Sequence, residues 1–214
     1  MYNTMAYKGE SAMPINKYRT AGWMAIISVF IVIPAAACNI LIGARPDIYY
    51  WLLPSFFVMG LLEWSLASYA LYQFKNFLNE HYKFHEVDIF IIILIISSLV
   101  AYAIAFTTLL AAGDSMPTRH MPIHPAKIGG IIAMGANGLI MGIVGIIFGI
   151  KLFKLDAKLH GYLQPMTYLL IAGSACFALF FLAPVGSLLY AIFTILLGVV
   201  LINGPDPEEI PEFV

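Results

Sequence analysis

Charge is scarce in this chain. Of its 214 residues, 11% are Asp, Glu, Lys or Arg, less than half the roughly 25% of an ordinary water-soluble domain. Eleven basic and twelve acidic residues leave a net charge of -1, so no electrostatic footprint for nucleic acid is present. Cysteine is rarer still. Cys38 and Cys176 fall in apolar stretches at different expected depths, which disfavours a disulfide and leaves two small packed thiols. Catalytic signatures are missing too: the chain holds no Walker loop, dinucleotide fingerprint, nucleophile elbow or HExxH zinc motif. Nothing assigns it a catalytic centre of its own. All five histidines, His81, His85, His120, His124 and His160, lie in polar connections. Haem held between two histidines inside a bundle is therefore disfavoured, while a quinone at a span end stays open.

What is abundant is apolar surface. Hydrophobic residues make up 61% of the chain and the mean hydropathy is +0.88, which points to a multi-pass membrane protein. The apolar runs are continuous rather than alternating, so helices are expected in place of a barrel. Runs of about 18 residues or more cross the roughly 30 Å hydrocarbon layer as helices. The expectation is an all-α polytopic protein, six transmembrane helices in one compact bundle with short connections, covering residues 21–203. The spans fall at about 22–43, 49–74, 88–112, 128–153, 163–183 and 187–203. Pro34 removes one hydrogen bond from the first, and Tyr49, Tyr50 and Trp51 open the second as headgroup-level aromatics. Residues 76–87 form a polar connection of helical composition, and Pro184, Val185 and Gly186 form a tight hairpin between the last two spans.

The ends are polar. Residues 1–20 lack the apolar core of a cleavable signal peptide, and 204–214 form an acidic tail kept non-helical by Pro205, Pro207 and Pro211. An even number of spans puts both tails on one side. That side would hold Lys8, Lys17, Arg19, Lys75, Lys83, Lys151, Lys154 and Lys158, against Arg45, Arg119 and Lys127 on the other. The positive-inside bias then makes both termini cytoplasmic, with the plasma membrane as the location in a prokaryote. Three spans plus three would permit an inverted repeat, although the halves show no similarity.

Glu63 is the one ionisable residue expected near the middle of a span. Such a group costs several kcal/mol in lipid and normally faces protein or a water-filled cavity. Gly60, Ala67 and Ala70 share its helical face, the small residues that let another helix approach. No Lys, Arg or His lies at its depth, so the neutral acid is expected unless a cation is held. Polar groups at similar depth are Ser97, Ser98, Tyr102, Asn137, Ser174 and Thr194. With Tyr102 and Asn137 foremost, they could complete a proton or ion site around Glu63, or a clasp between helices.

Two further patterns stand out. Gly135, Gly138, Gly142, Gly145 and Gly149 recur at intervals of three and four, a bare stripe for close helix contact within the bundle or with another subunit. Two polar segments carry metal-ligating residue types. Asp114, Met116, His120, Met121 and His124 combine thioether and imidazole, which suits copper. His81, His85 and Asp88 would share one face if helix ran through them, half of a zinc or iron site.

Three functions are consistent with these features. The first is an integral subunit of a larger membrane complex, packing partner helices through the glycine stripe and assisting proton or ion movement through Glu63. The second is a small channel or transporter for a proton, a cation or a small solute with Glu63 as the site. The weakest is a copper-binding membrane protein or enzyme using the Met/His loop.

Overall fold

The computed structural model describes residues 16–44, 49–113, 125–155 and 162–204. Within them the chain is all helical: α1 (Arg19–Ala44), α2 (Tyr49–Tyr82), α3 (Asp88–Gly113), α4 (Pro125–Phe153), α5 (Leu163–Ala178) and α6 (Ala183–Asn203), with a single 3-10 turn at Phe180–Leu182. Local chemistry explains several of the boundaries. Pro125 opens α4 and Pro184 lies in the first turn of α6, where a missing N–H costs nothing. Asp88 places a carboxylate at the positive end of α3. Gly204, with φ +73°, ends α6. Four stretches are long and apolar enough to cross a membrane: Trp51–Tyr82, Asp88–Thr108, Ile128–Phe153 and Ala183–Asn203.

Two expected boundaries are corrected. The segment after residue 74, expected as a polar connection of helical composition, is helical but belongs to α2 as far as Tyr82, so that α2 runs 34 residues, about 51 Å at 1.5 Å per residue. Phe74, Phe77 and Leu78 recur at helical spacing and are fully buried, so packing draws the helix on. It stops at Lys83, a left-handed residue with φ 54°, after which the Phe84 N–H donates to the Leu78 carbonyl. The second correction concerns Pro184, Val185 and Gly186, which lie inside α6 rather than in a hairpin. The turn comes earlier, at residues 179–182, and α5 is correspondingly short at 16 residues.

The helices stand in a closed ring. Each packs on its neighbours in the sequence, α6 returns to α1, and α2 also touches α6 across the interior. The hydrophobic core fills the half of the ring nearest Asn16 and Gly204. It gathers Tyr18, Phe74, Phe77, Ile91, Phe148, Leu152, Leu163, Met166 and Leu201, all 2% exposed or less. Polar links cap this end. Asn16 Nδ2 donates to the Leu201 and Ile202 carbonyls at 2.8 and 3.0 Å, Lys17 pairs with Glu80, and Glu86 bridges Lys151 and Lys154 at 2.7 and 3.3 Å. The outside of the ring is apolar as well: Phe30, Ile33, Ile132, Leu188 and Phe181 are 63% to 77% exposed.

Candidate functional site

Above the packed core the ring encloses a cavity of about 310 Å³. Leu71, Leu94, Phe193 and Leu197 belong to both core and cavity wall, and so form its floor. Every helix contributes to the wall, from Ser28 and Val32 of α1 through Met141 of α4 and Phe177 of α5 to Thr194 of α6. Ser187, one turn into α6 and exposed, carries the lining toward the opposite end of the ring.

Glu63 lies on this wall, with Trp64, Ala67 and Ser68 beside it on α2. Ala70 is fully buried. The Glu63 carboxylate makes no hydrogen bond or ion pair with any other described residue. No Lys, Arg or His is among the described lining residues, and the titratable groups that share the wall with Glu63 are the phenols of Tyr102 and Tyr190. The acid is therefore placed where a solute, water or a proton can reach it, and no fixed cation neutralises it.

Most of the hydroxyls around it have already spent their protons. Ser28 Oγ donates to the Ala25 carbonyl at 2.7 Å, Ser98 Oγ to Ile95 at 2.8 Å, Ser187 Oγ to Ala183 at 3.0 Å and Thr194 Oγ1 to Tyr190 at 2.8 Å. Tyr102 OH donates to the Phe57 carbonyl at 2.6 Å, and Trp64 Nε1 donates to Ser98 Oγ at 3.1 Å. Tyr102 reaches Phe57 because Gly60 leaves room for its ring: a β-carbon there would come within 2.5 Å of Tyr102 Cε2.

The polar residues expected to surround Glu63 thus divide. Ser98, Tyr102 and Thr194 line the cavity with it. Asn137 does not; its Oδ1 accepts from Ser97 Oγ at 2.7 Å in a buried clasp between α3 and α4. Ser174 lies in the α4–α5 contact, its buried Oγ without a hydrogen-bond partner. Ser28, Trp64, Ser68, Ser187 and Tyr190 join the wall unanticipated. Periodicity along one helix cannot reveal them, since the neighbour each helix faces decides which polar residue meets the cavity.

The glycine stripe is occupied within the chain. A β-carbon on Gly138 would meet the Phe177 carbonyl, on Gly142 the Ser174 carbonyl and Ala178, on Gly145 the Ser174 side chain, and on Gly149 Ile171. All of these belong to α5. The stripe seats a helix of its own ring, and Gly135 on the same helix is half-buried.

Of the two metal patterns, one falls outside the described residues and the other forms no centre among them. Asp114, Met116, His120, Met121 and His124 lie outside them. His81, His85 and Asp88 do not share a helical face, because the turn at Lys83 separates them. His81 Nδ1 meets the Phe77 carbonyl at 3.1 Å, and His85 approaches Asp88 at 3.6 Å while Asn79 Nδ2 donates to the same carboxylate at 2.9 Å. Among the described residues no three His, Cys, Asp or Glu side chains gather as a metal site. Cys176 is a free thiol. No protein-family model, no curated protein and no solved structure matches this chain.

Proposed function

We propose that the protein is a six-span membrane protein that moves a proton, a cation or a small cationic solute, with Glu63 as its binding site. What carries the reading is one observation: a cavity walled by all six helices holds a carboxylate with no partner in the described protein. An intramembrane acid is expensive, and a solute pathway is the common setting for one. The apolar exterior favours lipid around the ring. In this reading α1 and α5 also span, both termini face the cytoplasm in accord with the distribution of Lys and Arg, and the packed core closes the cytoplasmic half.

Against the alternative, a subunit of a larger complex that packs partner helices through the glycine stripe, stands the filling of that stripe by α5. The deciding measurement is flux into proteoliposomes carrying the purified chain, with a pH-sensitive dye inside and an imposed proton or cation gradient. Glu63→Gln is expected to abolish flux while eluting like the native protein. Flux unaffected by the substitution, or absent from the native chain, would overturn the proposal. Stoichiometric partners co-purifying from the native membrane would instead favour the subunit reading.

A further inference from the structure

We infer that the cavity takes a small organic ammonium ion, a protonated or quaternary amine, held by the Glu63 carboxylate and the aromatic side chains beside it. The inference rests on the reading above and names the chemistry of its solute. Three observations converge on it.

First, most of the polar wall accepts and does not donate. Ser28, Ser98, Ser187, Thr194 and Tyr102 each give their proton to a backbone carbonyl, and the Trp64 N–H is taken by Ser98. What they turn to a guest is lone pairs, joined by the Glu63 carboxylate. An anion would find no positive charge and no spare side-chain N–H there, only the hydroxyls of Ser68 and Tyr190. A guest that brings its own positive charge and donors completes these groups.

Second, the wall is aromatic. Trp64, Tyr102, Phe177, Tyr190 and Phe193 all line it. Tyr190 packs edge-on against Phe177 with ring centroids 6.0 Å apart, and tilted against Phe193 at 5.2 Å, so three rings make one continuous cluster. Aromatic rings with a carboxylate are the recognition chemistry of alkylammonium groups.

Third, the space suits an organic cation better than a bare metal ion. The cavity's 310 Å³ matches roughly ten waters at about 30 Å³ each. A hard divalent ion would seek at least about six oxygens close together, and Glu63 is the only carboxylate on the described wall.

The test uses the detergent-solubilised full chain with Trp23→Phe and Trp51→Phe, both exposed tryptophans, which leaves Trp64 as the sole indole reporter. The probes are choline, its neutral isostere 3,3-dimethylbutan-1-ol, and potassium chloride. Choline is expected to shift Trp64 emission saturably, and the neutral isostere to bind at least about tenfold more weakly. Glu63→Gln should weaken choline by about tenfold or more, with Glu63→Asp recovering part of the loss. Equal binding of choline and the isostere would overturn the inference by showing a merely apolar pocket. So would a potassium-responsive site that ignores choline, and there Glu63-dependent flux in proteoliposomes would leave the transport reading standing. No response to either cation, together with flux indifferent to Glu63, would remove both.

Discussion

Gly22 of α1 and Gly198 of α6 stand back to back. A β-carbon on Gly22 would lie 2.5 Å from the Gly198 carbonyl oxygen, and one on Gly198 would lie 2.7 Å from that of Gly22. Neither obstacle is a flexible side chain, so the two backbones would have to move apart. This contact joins the last helix to the first and closes the ring. Gly22→Val or Gly198→Val should therefore destabilise the folded protein by about 1–3 kcal/mol, the usual range for overpacking. Gly129→Val supplies the control, since nothing lies within 4 Å of a β-carbon there. Thermal unfolding followed by size exclusion should separate the three, and equal melting of all would show that the ring does not depend on this approach.

A second contact can be tested by compensation. A β-carbon on Gly145 would overlap Ser174 Oγ, an atom that is buried and has no hydrogen-bond partner. Gly145→Ala alone is expected to destabilise. Ser174→Gly should recover much of that loss when compared with Ser174→Gly alone, a coupling of about 0.5–3 kcal/mol in a double-mutant cycle. Ser174→Ala by itself should be close to neutral or stabilising, because it removes an unsatisfied hydroxyl rather than a bond. Strictly additive effects would mean that α5 does not press on α4 at this point.

The contrast between these contacts explains what can be read from the chain and what cannot. The stripe on α4 is legible because five glycines on one helix make a period by themselves. Gly22 and Gly198 leave no such trace: neither belongs to a run of glycines at helical spacing on its own helix, and only their meeting in space gives them meaning. Glu63 stands out for the same reason as the stripe, being an anomaly within one helix. Its surroundings do not, because Ser97 and Asn137 lie at suitable depths and yet satisfy each other. Depth follows from sequence position, whereas the side of a helix that meets the cavity follows from its neighbours. The end of α2 misleads for a third reason. Lys75, Asn76, Asn79 and Glu80 read as a solvated connection, while Phe74, Phe77 and Leu78 on the other face bury completely.

Lys83 ends that helix in a conformation that suits glycine. With φ 54° its β-carbon crowds the backbone. Lys83→Gly should raise stability by up to about 1 kcal/mol, reduced by the greater freedom glycine has in the unfolded chain. Lys83→Val should lower it, since a branched side chain tolerates this region worst. Chemical denaturation in mixed micelles would rank the three proteins. The order Gly, Lys, Val from most to least stable is expected, and the reverse order would show that the turn relaxes to another conformation.

Glu86 offers a test that depends on pH. It lies between α2 and α3, and hydrogen bonds from Lys151 first and Lys154 second hold its carboxyl below the ordinary carboxylate value. A depressed value in the folded state means that the unfolded chain takes up the proton more readily. The contribution is therefore fully present above about pH 4.3, the unperturbed value for Glu, and is lost as pH falls through the lower folded value. Glu86→Gln should melt below the native protein at pH 7, with the gap shrinking as pH is lowered toward 3. Because Glu86 is exposed, about 1 M salt should shrink the gap at neutral pH as well. Lys17–Glu80 lies at the same end of the ring and also responds to acid, so the informative quantity is the difference between native and variant melting temperatures. A difference constant from pH 3 to 7 would mean that the two lysines hold Glu86 no more firmly than water does.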